Sequence, residues 1–247
     1  MKINEADTFI ILGYGFNSCY IRNTILYLNM RIIAKSTLRD FWLIHPPAEF
    51  PLLDWYNVVK QVEWNTPNDV KQTYGNASII ANDRVVFNIK ANDYRLVTEI
   101  DYEYQMVFII WIGTHKEYDK IDVKKLNMMD NINNEKYHKM ALNKVRALMK
   151  LKPSKESEEG QELEMLITLI EAYEDVHVPM QASDPIAYLV YRMEQDNLKQ
   201  RDLIPYIGDK TKVSKVMNRK QELSVLMIRR LSEGLKIPIN FLIPVGV

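Results

Sequence analysis

Residues 84–113, RVVFNIKANDYRLVTEIDYEYQMVFIIWIG, decide the fold of this chain. Three runs, RVVFNIK (84–90), YRLVTEID (94–101) and MVFIIWIG (106–113), are dense in β-branched and aromatic residues, which pack well on a pleated surface. Short polar breaks, Ala91-Asn92-Asp93 and Tyr102-Glu103-Tyr104-Gln105, separate them, so the runs are expected to fold back on one another as an antiparallel meander. Upstream, RIIAKSTLRDFW reads as a short strand followed by a helix, with Thr37 as N-cap and Asp40 three residues on. A second helix fits 51–62, opened by Pro51, and a shorter one fits 67–73. The pattern is βααβββ, an α+β domain over 30–122.

On either side the pattern changes. Residues 1–29 show no sustained period and are expected to be a leader outside the fold, and 123–133 form a polar linker. Beyond lie helices alone, at about 134–151, 156–176, 185–196, 200–207, 211–218 and 224–235, with Asp184-Pro185 as a start signal and Gly208 and Gly234 as stops. The helix over 156–176 carries seven Glu and one Asp, with Leu163, Leu166, Ile167 and Ile170 on one side. Its acidic face is either solvated or turned to a basic partner surface.

Composition excludes several classes. The 247 residues are 47% hydrophobic and 26% charged, enough for one large globular domain or two small ones. Lys+Arg and Asp+Glu are both 32, so only the distribution informs: 30–122 hold 10 basic and 13 acidic residues, 184–247 hold 11 and 7. A single cysteine, Cys19, excludes an internal disulfide framework. No HxxxH, CxxC or DxD cluster is present, so neither a metal nor any other cofactor is expected. Nor does any run reach the roughly 18–20 apolar residues of a membrane span, and the N-terminus lacks a basic signal region; the expected location is the cytoplasm.

The C-terminal stretch 200–235 has the rhythm of a helix-turn-helix. One short helix ends at Ile207, Gly208-Asp209-Lys210 make the turn, and TKVSKVMN forms the second helix. Leu203, Val213, Val216, Leu223 and Ile228 are spaced for a shared core. Between 210 and 220 there are five basic residues and no acidic one, which supplies cations for phosphates and short polar groups for base edges. The candidate DNA-contacting set is Gln200, Lys210, Thr211, Lys212, Ser214, Lys215, Asn218, Arg219 and Lys220. The stretch resembles the Cro/repressor helix-turn-helix family. VSKVMNRKQELSVLMIRRLSEGLKIP and EMLITLIEAYEDVHVPMQASDPIAYLVYRMEQ (164–195) are similar to the HigA antitoxins. That resemblance implies antitoxin N-terminal helices over 134–183, and an operator-binding, autorepressing domain over 184–247 that works as a homodimer.

MRIIAKSTLRDFWLIHP, LLDWY, RVVFNIK, NDYRLV and IGTHKEYDKID, in that order, resemble the HigB toxins, which are similar in fold to RelE-type ribonucleases with an antiparallel sheet. The implied activity is metal-independent mRNA endonuclease action, with mRNA on the ribosome as partner. Such chemistry needs a base, an acid and cations for the developing phosphorane charge. His115 can shuttle protons near neutrality, Arg95 and Lys90 can supply charge, and Tyr118 can stack on a base or share the proton transfer. Lys116, Lys35 and Arg84 are candidate RNA contacts. Whether Lys90 and Arg95 share a face depends on register. With both halves in one chain, the joined antitoxin is expected to contact the toxin within the molecule. The alternative is a transcriptional repressor whose N-terminal domain is a catalytically inactive interaction module.

Overall fold

The computed structural model describes residues 29–80, 83–123 and 136–244, together with the backbone of three short strands before them. Those strands, β1 (Thr8–Phe9), β2 (Ser18–Ile21) and β3 (Thr24–Tyr27), lie in the segment expected as a leader and pair antiparallel in that order. Most of the expected linker lies outside the described residues. The chain divides into two units, one of residues 1–48 and 55–178, the other of 49–54 and 179–247.

In the first unit, β4 (Arg31–Ile33) leads into three helices, α1 (Ser36–Ile44), α2 (Glu49–Val59, whose first six residues group with the other unit) and α3 (Pro67–Thr73). Four strands follow: β5 (Ser78–Ile80), β6 (Arg84–Ile89), β7 (Tyr94–Asp101) and β8 (Met106–Thr114). They form a sheet of order β4-β8-β7-β6-β5. The meander over β6, β7 and β8 is present, but the sheet is mixed rather than antiparallel throughout, because β4 runs parallel to β8. Having passed through α1–α3, the chain enters the meander on the far side, which leaves β4 free to pair beside the last strand. The added strand β5 is only three residues long and half solvated, so its alternation carries little signal.

Phe87, Leu96 and Ile112, cross-strand neighbours in register, share the face that packs on aromatic side chains from the helices. Trp64 stacks on Phe87 at 6.1 Å, and Trp55 and Tyr74 meet its edges at 5.4 and 5.1 Å. Trp64 also donates to Thr73 Oγ1 at 3.0 Å, so its polar end is satisfied in the core. A capping box, Thr66 with Asp69, starts α3 with Pro67 at its first position.

Two helices complete this unit, α5 (Lys136–Leu151) and α6 (Glu158–His177); a four-residue α4 (His115–Tyr118) belongs to the site. The acidic α6 is solvated only in part: Glu158 and Glu159 are exposed, whereas several of its other carboxylates are paired. Glu164 takes a bidentate pair from Arg31 at 2.8 and 3.0 Å, Asp175 pairs with Lys35, and Glu171 pairs with Lys60 at 2.9 Å. Arg39 donates to the His177 carbonyl at 2.9 Å. Thr37 is not the N-cap of α1: the helix starts at Ser36 with Lys35 at the cap position, whose amide donates to Glu174 of α6 at 3.3 Å. A capping group supplied from 139 residues away has no local signature. His138 is buried with its Nε2 3.1 Å from Glu174 Oε1.

The second unit is all-helical: α7 (Pro185–Gln195), α8 (Ile204–Ile207) continuing a 3-10 turn, α9 (Lys210–Met217) and α10 (Val225–Leu235). Asp184, Asp209 and Ser224 cap α7, α9 and α10, each accepting backbone amides. Gly208 turns the chain with φ 129°, a conformation that favours glycine. Gly234 does not stop a helix. It lies inside α10, where a Cβ would meet the Tyr206 ring at 2.1 Å, so its smallness lets α8 and α10 approach. Leu203, Val213 and Val216 are buried as expected, whereas Leu223 and Ile228 are half-buried and Met227 and Leu231 take the core positions. Tyr188 donates to Asp54, and Arg192 reaches the same carboxylate at 3.4 Å; burial, the Asp54 charge and that bond push the Tyr188 phenol well above its usual range. No helix among the described residues is long and apolar enough to cross a membrane.

Candidate functional site

Strand β8 ends in Gly113-Thr114, and the chain turns at once into α4. The residue that caps this helix is Thr114. Its hydroxyl accepts from the Glu117 amide at 3.3 Å, while the Glu117 carboxylate accepts from the Thr114 amide at 2.7 Å and hydroxyl at 2.8 Å. Those bonds, the amide first and the hydroxyl second, hold the Glu117 carboxyl below its usual range. His115 is thereby released from capping with its ring. Its amide donates to the Asp93 carbonyl at 3.0 Å, and its Nδ1 lies 3.2 Å from Asp119 Oδ2 with the side chain 44% exposed. A carboxylate at that distance orients the ring, the arrangement a general acid or base needs.

Arg95 sits opposite Gly113 on β8 and opposite Asn88 on β6. It is 8% exposed, with Nη1 donating to the Asn92 carbonyl at 2.9 Å and the Tyr94 carbonyl at 3.3 Å. Its guanidinium lies 5.7 Å from the Tyr118 ring centroid, and among the described residues no carboxylate pairs with it. Lys90 does not join this group. The strand ends at Ile89, Lys90 has φ 50°, and its ammonium pairs with Asp93 at 3.0 Å and lies 6.0 Å from the Tyr94 ring. Tyr94 and Arg95 are consecutive in a strand and point to opposite faces, so the register sends the two cations to different sides.

Lys116 is exposed beside His115. Lys35 and Arg84 are not available to RNA. Lys35 is 2% exposed and paired with Asp175, and Arg84 is 6% exposed, donating to the Val123 carbonyl and facing Glu99 at 3.6 Å. One residue that the sequence did not single out, Trp111, belongs to the lip. Trp111 is half-buried, two positions before Gly113, and lies across it: a Cβ on Gly113 would meet the indole at 2.3 Å. The indole also faces Tyr118, with ring centroids 6.4 Å apart. Period-2 alternation from Gly113 was the signal that could have placed Trp111 on the Arg95 face.

On the second unit all nine candidate DNA contacts are exposed: Gln200 precedes α8, Lys210, Thr211, Lys212, Ser214 and Lys215 are on α9, and Asn218, Arg219 and Lys220 follow it. Arg219 is engaged by Asp184, and Asn218 donates back to the Ser214 carbonyl at 2.8 Å. Among the described residues no group of three His, Cys, Asp or Glu side chains is placed to hold a metal ion.

Residues 48–121 match the HigB toxin family, described as the RelE-like toxic component of a toxin–antitoxin system. A curated relative, "mRNA interferase HigB" of Escherichia coli O6:H1 (strain CFT073), is 26% identical over 94 residues, which cover 37% of this chain and 91% of the relative. The family match ends three residues after Tyr118, before α5 begins. The N-terminal part of this chain therefore resembles a RelE/HigB-family toxin, and its helical remainder lies outside the family match.

Proposed function

We propose that the N-terminal domain is a metal-independent endoribonuclease acting on mRNA at the ribosome. In that reaction His115 moves the proton, Arg95 stabilises the phosphorane, Tyr118 orders the guanidinium and contacts the substrate, and Lys116 holds a flanking phosphate. The observation that carries this reading is the release of His115 by the Thr114–Glu117 cap, beside a largely buried guanidinium with no carboxylate partner. An uncompensated buried cation is costly, and an incoming phosphate relieves it. The C-terminal helices act in the same proposal as an antitoxin-type helix-turn-helix module. Its α9 enters operator DNA as part of a homodimer, supported by the exposure of Lys212, Ser214 and Lys215 on one short, well-capped helix. In this reading the module also restrains the toxin domain within the chain.

One observation favours the second reading, a repressor with an inactive N-terminal module: three of the expected cations, Lys90, Lys35 and Arg84, are committed to partners elsewhere. The test compares ribosome-supported mRNA cleavage by the full chain, by a version ending at Val178 that keeps every ion pair of α6, and by each with His115→Ala. Cleavage that increases in the shorter version and disappears with His115→Ala supports the enzyme. Failure of both His115-containing proteins to cut, with native Trp emission retained, overturns it.

A further inference from the structure

We infer that Trp111 is a stacking platform for an unpaired base of single-stranded RNA, placed beside the phosphate-binding Arg95. The inference rests on the ribonuclease reading and names how that site grips its substrate. Three of the four tryptophans, Trp42, Trp55 and Trp64, are 7, 2 and 1% exposed and serve the core. Trp111 is half-buried on the other face of the sheet, where Arg95 and Val97 of β7 oppose Gly113 and Trp111 of β8. Its six-membered ring occupies the space above Gly113 that any side chain would fill, so the indole is held flat along the strand instead of standing off it. Tyr118 lies at 43° to it, and the indole keeps part of its surface exposed.

The charges around the platform select the occupant. Glu117 is spent on the Thr114 cap, Asp119 faces His115, and Asp93 faces Lys90. Arg95 keeps no carboxylate among the described residues, and Lys116 and Lys120 are exposed on the adjoining turn. An aromatic plane flanked by unneutralised cations suits a base with its phosphates. Stacking is tolerant of base identity and needs an unpaired strand, because a paired base does not offer its face. Gly113 fixes the distance between the base plane on Trp111 and the phosphate at Arg95, its cross-strand partner.

The experiment uses the full chain and a 2′-O-methyl RNA hexamer, which lacks the 2′-hydroxyl nucleophile and is not cut. In the free protein acrylamide should quench one accessible tryptophan, and the hexamer should shield it; Trp111→Phe should remove that accessible fraction. By anisotropy of a labelled hexamer, Trp111→Ala should bind roughly 5- to 150-fold more weakly, the span expected for one lost base stack, while Trp111→Phe retains most of the affinity. Gly113→Ala, which displaces the indole without removing it, should weaken binding in the same direction. Near-UV circular dichroism of each variant confirms a native core. Unchanged hexamer affinity in Trp111→Ala, with cleavage of natural RNA also unchanged, overturns the platform and leaves the ribonuclease reading standing. A Trp111 already closed to acrylamide in the free chain means that a protein segment covers it, and also overturns the platform. A wild-type chain that neither binds the hexamer nor cuts RNA overturns both.

Discussion

Replacing Glu164 by alanine tests whether α6 is part of the toxin-like unit or merely adjacent to it. Arg31 leaves β4 with its guanidinium 3% exposed, donating to both Glu164 oxygens and to the Tyr104 carbonyl at 2.8 Å. Removing one partner of a buried pair costs about 3–5 kcal/mol, because the remaining charge is stranded. Glu164 is itself 26% exposed, so water reaches part of the vacated site and the expected loss is nearer ~2–3 kcal/mol. Glu164→Gln keeps one acceptor and should lose about half as much. Arg31→Met combined with Glu164→Leu should recover most of the deficit, since a packed apolar pair avoids desolvating either charge. Every tryptophan lies in this unit, so urea denaturation followed by Trp emission reports it without contribution from the C-terminal helices. At a typical slope of 1–3 kcal/mol per molar urea, the Glu164→Ala midpoint should fall by about 1 M. A midpoint within about 0.2 M of wild type would refute the pairing as a stabilising contact.

Other expectations are as direct. His115→Ala should leave the unfolding stability within about 0.5 kcal/mol of wild type and lower RNA cleavage by about 10²–10⁴-fold, whereas Thr114→Ala should cost about 1 kcal/mol of stability; the reverse pattern would make His115 a structural residue. Lys212→Ala with Lys215→Ala should weaken operator binding by about 1–3 kcal/mol and flatten its dependence on salt, and unchanged binding at two salt concentrations would exclude α9 as the reading element. Burial first, and nearby carboxylates second, push the phenols of Tyr102 and Tyr104 up to about 12. Since the folded values lie above the unfolded value near 10, their contribution is whole below about pH 10 and is lost as pH rises towards 12. Urea midpoints measured at pH 9 and 11.5 should show the fall, and Tyr104→Phe should reduce it.

Local signals were legible wherever one residue's neighbours in sequence are also its neighbours in space. The meander was visible because β-branched runs alternate with polar turns, and the caps at Asp184 and the turn at Gly208 carry their own chemistry. The lip was half visible. GTHKEYDKID marked His115 and Tyr118, yet the same ten residues hold the capping box that frees the histidine, and Glu117 was passed over because a one-turn helix leaves no period to detect. Lys90 was misplaced by continuing a strand one residue too far, into a backbone of positive φ that reverses the side chain's direction. Register decided the rest: only the pairing of Arg95 with Gly113 places the guanidinium on the Trp111 side.

The acidic helix illustrates the other limit. Composition divides the chain after residue 122, where strands give way to helices, yet α5 and α6 group with the toxin-like sheet. The division by composition records a change of element type, whereas packing follows charge and apolar area. Arg31, Lys35 and Lys60 look like solvent-facing cations in sequence, and each finds its carboxylate more than 100 positions away on one helix. Tyr104, in the turn before β8, donates to the Pro153 carbonyl at 3.2 Å, and Gly160 admits that approach, since a Cβ there would meet the Tyr104 hydroxyl at 2.7 Å. The contacts of α6 therefore run from one end of the helix to the other. Its carboxylates meet cations of β4, of the α1 cap position and of the residue that ends α2, while the bonds recorded for His115, Tyr118 and Arg95 are made within the lip itself. Charge on α6 thus acts on cations of β4 and of the helix ends, among them Lys35, which the sequence suggested for RNA.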